Sequence, residues 1–77
     1  MNIYLISQDV NRGYDTYDSA IVLAESVALA RQMCPSGYKT PFRGSWCDPS
    51  DVKVELIGKA NKKFNEPQVI CSSFNAG

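Results

Sequence analysis

Apolar residues fall into short runs separated by polar, turn-forming stretches. Residues 3–8, IYLISQ, are rich in strand formers. Asp9 to Asp18 follows with Asn11, Gly13 and Asp15, the composition of a loop or a wide hairpin turn. Residues 19–24, SAIVLA, form a second, nearly continuous run. Its continuity predicts a strand central in a sheet or covered on both faces. The short, turn-rich connection makes the two strands an antiparallel hairpin.

Ser26 reads as a helix N-cap. Val27, Ala30 and Cys34 then recur at helical spacing with Leu29 and Met33 beside them, a stripe that faces a core. Pro35 ends this helix, which spans about 8–10 residues and depends on packing for its stability. Residues 35–51 are predicted irregular, with Pro35, Gly37, Pro41, Gly44 and Pro49 among them. Asp48 followed by Pro49 marks one short helical turn. Residues 52–60, VKVELIGKA, alternate, with Val52, Val54 and Leu56 on one side, and Gly58 marks a bulge. A polar turn from Asn61 to Pro67 leads to the last strand, residues 68–74, QVICSSF.

The order β-β-α-β-β predicts a single α+β domain over residues 1–77. Its four-stranded antiparallel sheet carries one short helix packed on one face. The other face must be polar or meet a partner. In one register Tyr4, Ile6, Ile57, Ile70 and Phe74 share that open face, which predicts a homodimer or a bound partner.

Composition narrows the function classes. The formal net charge is zero, from eight basic and eight acidic residues. A nucleic-acid binder of this size needs a basic excess, so direct nucleic-acid binding is not expected. The first 30 residues set Arg12 against Asp9, Asp15, Asp18 and Glu25, and the remainder carries the compensating basic excess. Folding is expected to mix the two sets. No apolar run approaches the roughly 20 residues of a membrane span, and the first residues do not resemble a signal peptide. Cys34, Cys47 and Cys71 are odd in number and widely spaced, which fits reduced thiols in a cytosolic compartment.

Candidate chemistry is sparse. The chain has no histidine, which removes Ser-His-Asp and Cys-His arrangements and the usual base near neutral pH. Neither paired cysteines nor a glycine-rich phosphate loop is present, so no cofactor or metal is expected. Ser72 and Ser73 lack a positioned base. Asp15 and Asp18 read either as turn aspartates or as the acids of a small hydrolase. The segment from Asn11 to Ser19 packs two tyrosines, two acids, an arginine and a glycine into nine positions. Tyrosine and arginine suit binding hot spots, and paired tyrosines can stack a base. The competing reading has Tyr14 and Tyr17 covering the end of the core. Trp46 has the same two readings, and the only Trp of a small domain is more often core than contact.

The blocks IYLISQDVNRGYDTYDSAIVLAES, WCDPSDVKVELIGKA and VICSSFNAG resemble a family of short bacterial, prophage and phage proteins with no established enzymatic role. The resemblance covers most of the chain and is most specific in GYDTYDS and SSFNAG. The stretch between Pro35 and Trp46 is short beside longer members. Small size, missing catalytic groups and a half-apolar sheet face, taken with this resemblance and by analogy with phage proteins in general, point to a non-enzymatic binding protein that blocks a protein or protein complex of a bacterial host, such as a CRISPR effector. Arg12, Tyr14, Asp15, Tyr17, Asp18, Trp46, Phe74 and Asn75 are the expected contact residues. The alternative is a sponge for a nucleotide immune signal, with Arg12, Tyr14, Tyr17 and Trp46 forming a pocket shared between subunits.

Overall fold

The computed structural model describes residues 1–36 and 45–75. Gly37, Pro41 and Gly44 of the predicted irregular stretch lie outside the described residues. The elements are β1 (Asn2–Ser7), β2 (Thr16–Ala24), α1 (Val27–Arg31), a 3-10 turn (Pro49–Asp51), β3 (Lys53–Lys59) and β4 (Gln68–Asn75). The strands form an antiparallel sheet in the order β3-β1-β2-β4. The expected α+β architecture, four antiparallel strands with one short helix, is therefore present. Both edge strands come from the second half of the chain; β3 carries Lys53, Glu55 and Lys59, and β4 carries no charge. Lys53 Nζ and Asp9 Oδ2 meet at 3.1 Å.

The β1–β2 register decides which side chains are buried. Tyr4 lies opposite Val22 and Ile6 opposite Ala20. These residues form the core with Ala24, Ala30, Trp46 and Val52, and α1 lies on this face. Ile6 and Val22 are fully buried. Each such side chain contributes on the order of 1.5–3 kcal/mol through the apolar area it removes from water. The Tyr4 hydroxyl is matched by the Asn2 side-chain amide, which donates to it at 3.1 Å.

This register corrects the expectation that Tyr4 and Ile6, and with them Phe74 opposite Tyr17, lie on the open face with Ile57 and Ile70. The helix following β2 covers the side of Ala20, Val22 and Ala24, and pairing fixes Tyr4 and Ile6 to that same side. The opposite face instead aligns Ile3 with Leu23 and Leu5 with Ile21. Leu23 is buried there, and its three companions are half-buried.

Three register shifts shape the sheet. Ile57 has no partner on β1, next to Gly58, where a bulge was expected. Ile70 is the extra residue of β4. Asp18 is the extra residue of β2, which turns Tyr17 toward the core side.

The helix is shorter than expected. Ser26 Oγ caps it by accepting the Leu29 N–H at 3.2 Å. The N–H groups of Gln32 and Met33 then reach back only three residues, to the carbonyls of Leu29 and Ala30, both at 3.1 Å. The coil has tightened into 3-10 geometry before Pro35 can end it. A helix of under two turns buries a narrow stripe. Ala30 is on it and Cys34 is buried beyond its end, whereas Val27 is exposed, against expectation. Leu56 is also exposed although its alternation matches Val54, because an edge strand has a neighbour on one side only. Arg31 ties α1 to the next segment, donating from Nη1 to the carbonyls of Pro49 at 3.4 Å and of Val52.

These assignments set an order of sensitivity in urea denaturation followed by Trp46 fluorescence. Ile6→Ala should cost about 3 kcal/mol through the cavity it leaves. Ser26→Ala should cost about 1 kcal/mol through the lost cap. Leu56→Ala, at an exposed site, should change stability by no more than about 0.5 kcal/mol.

Candidate functional site

The candidate residues gather at the end of the sheet where β1 stops and β2 and β4 continue. Gln8 builds this end. It extends the alternation Tyr4, Ile6, Gln8, so its side chain enters the buried side. An amide buried there must be fully hydrogen-bonded. Its Nε2 donates to the carbonyls of Asn11 at 2.6 Å and Tyr17 at 2.8 Å. Its Oε1 accepts the backbone N–H groups of Val10 at 2.9 Å and Asn11 at 2.7 Å. One side chain thus folds the start of the loop and joins it to β2.

Three further contacts close the loop. Thr16 Oγ1 donates to the Gly13 carbonyl at 2.6 Å. The Asp15 N–H donates to the Asn75 carbonyl at 2.6 Å, which holds the tip against the end of β4. Asn11 Nδ2 donates to the Trp46 carbonyl at 2.9 Å. Asp15 takes a left-handed backbone conformation, with φ of 58°, a region in which aspartate is among the better tolerated residues.

Each predicted contact residue now has a place. Tyr14 is 81% exposed at the tip, and Arg12, Asp15 and Asp18 are exposed around it. Tyr17 leans on Phe74, ring centroids 4.8 Å apart and planes at 55°. Phe74 remains about half exposed, and Asn75 is exposed beside Asp15. Trp46 is the correction: its indole is buried in the core, so it supports the loop from below. The N–H of Tyr17 donates to the Ser45 carbonyl at 2.8 Å, which seats the Trp46 segment beyond the end of β1. Trp46 therefore does not line a surface pocket with Tyr14, Tyr17 and Arg12 within one chain. Gln8 and the exposed Val10 are the residues that the sequence reading passed over. The signal for Gln8 was available, as a polar residue on the buried side of an alternating strand.

Two regions contrast with this end. A cavity of about 320 Å³ lies at the other end of the sheet, lined by Met1, Glu25, Ala60, Lys62 and Phe64 among others. Among the described residues, no three His, Cys, Asp or Glu side chains gather as metal ligands would. None of the described helices is long and apolar enough to cross a membrane. Burial pushes the Cys34 thiol above its ordinary range. Burial does the same for Cys47, helped by the negative charges of Asp51 and Asp48 and by Cys34. Cys71 is exposed.

No protein-family model, curated protein or solved structure matches this chain.

Gln8→Ala should cost about 2 kcal/mol, because it leaves buried carbonyls and N–H groups unmatched. Hydrogen exchange should quicken at Val10 and Asn11 while the centre of β1 stays protected. Alkylation offers a second check. Thiolate is the reactive form, so raised pKa values slow Cys34 and Cys47 at neutral pH. Iodoacetamide should label Cys71 first in the folded protein, and the other two should gain rate as pH rises.

Proposed function

We propose that this chain is a non-catalytic binding protein whose Asp9–Asp15 loop contacts a protein partner. The observation that supports this reading is the pinned loop. An 81% exposed tyrosine and an exposed arginine stand on a turn held by Gln8, Thr16 and Asn75. Exposed tyrosine and arginine are the residue types that most often dominate interface energetics. A turn already fixed by the fold avoids much of the ordering cost of binding, about 0.5–1.5 kcal/mol for each side chain immobilised. The resemblance to short phage and prophage proteins directs the choice of partner toward a bacterial host protein or complex that acts in defence. Occlusion of a surface on that partner needs no catalytic group.

The test is capture of the partner from a bacterial host by the tagged full chain, followed by native mass spectrometry. Tyr14→Ala should weaken capture by about tenfold or more, in line with a hot-spot tyrosine. Its unfolding midpoint should stay at the wild-type value, because Tyr14 is exposed. Undiminished capture by the double variant Arg12→Ala, Tyr14→Ala would remove the loop from the interface. A chain that captures no host protein and instead sequesters a nucleotide would overturn the reading.

A further inference from the structure

The two edges of the sheet are not equivalent. Natural sheets guard their edges with charge, proline or irregularity, because an exposed strand presents unpaired N–H and C=O groups to any other strand. The β3 edge carries Lys53, Glu55 and Lys59, and its bulge at Ile57 breaks the ladder near its centre. The β4 edge, Gln68–Asn75, is eight residues long and holds neither charge nor proline. Every β4 residue except Val69 is exposed. Its bulge at Ile70 lies toward one end, and from Cys71 to Asn75 no β4 residue is left without a partner on β2.

We propose that β4 pairs with β4 of a second copy of this chain, antiparallel and centred on Ser72, to form one continuous eight-stranded sheet. Such pairing has its twofold axis perpendicular to the sheet, so each side chain meets one on the same face. Centring on Ser72 sets Ile70 against Phe74 of the second copy and Cys71 against its Ser73. Ile70 and Phe74 are 49% and 48% exposed and stand equally far from Ser72 on either side. One strand thus supplies both halves of two equivalent apolar pairs, the self-complementarity that a twofold contact requires. This selects a second copy over an unrelated strand. The dimer places one Tyr14 loop near each end of the joined edge, because each loop is bonded to its own Asn75. The proposal does not rest on the partner-binding reading.

The experiment is sedimentation equilibrium on the full chain and on two variants at the axis, Ser72→Lys and Ser72→Glu. Ser72 is exposed, so neither variant disturbs the core, and circular dichroism melts should show both folded. Wild type should sediment as a dimer at micromolar concentration. In each variant two like charges meet across the axis, which should weaken the dimer by about tenfold or more. An equimolar mixture of the two should recover dimer as the mixed species, with Lys opposite Glu. A monomeric wild type at 100 micromolar would overturn the proposal. So would dimers that persist equally in both variants, since the contact would then lie elsewhere. Weakened variants whose mixture stays monomeric would place the axis away from Ser72 and overturn it as stated.

Discussion

The pairing of β1 with β2 is the constraint from which the rest of the structure follows. Setting Tyr4 opposite Val22 and Ile6 opposite Ala20 commits one face of the central strands to the core. The helix needs that face, because five residues cannot hold a helical turn in water without packing. Trp46 and Val52 close the same layer from the chain beyond the helix. A slip of one residue would exchange this set for Ile3, Leu5, Ile21 and Leu23. The small residues Ala20, Ala24 and Ala30 sit among the large ones in the core, so the helix can approach closely.

The same alternation, carried two residues further, produces the candidate site. Gln8 takes the next core-facing position after Ile6, at the point where β1 ends. Burial there obliges its amide to find partners, and the nearest unpaired backbone groups belong to the loop. A requirement of stability thus becomes the support of the loop that carries the proposed contact residues. The polar end of a strand fixes a turn, and the turn exposes Tyr14 and Arg12. Tyr17 and Phe74 pack together beside it with their rings tilted, where the Asp18 bulge has rotated Tyr17 inward.

Residue pattern made much of this legible. The strand runs, the Ser26 cap, the Pro49 turn and the bulge near Gly58 all follow from local chemistry: periodicity, capping oxygens and the fixed φ of proline. The clustering of Arg12, Tyr14 and Asp15 on one exposed loop, with Asp18 beside it on β2, was legible too, since they are close in sequence. The helix end was misplaced because Pro35 marks only the latest point at which a helix can stop. Trp46 leans toward core from the sequence, but an indole suits both roles and its depth depends on residues distant in the chain.

The sequence by itself determined the class of fold, the order of its elements, the absence of histidine chemistry and the loop most worth testing. These depend on composition and on neighbours within a few positions. Only the tertiary structure decided which apolar face is covered, that Gln8 holds the loop, that Trp46 supports it from within, and that β4, the strand without charge, lies at an edge. Each of these is a matter of which strand lies beside which. Alternation shows that a strand has two faces and two edges, and only its partners assign them.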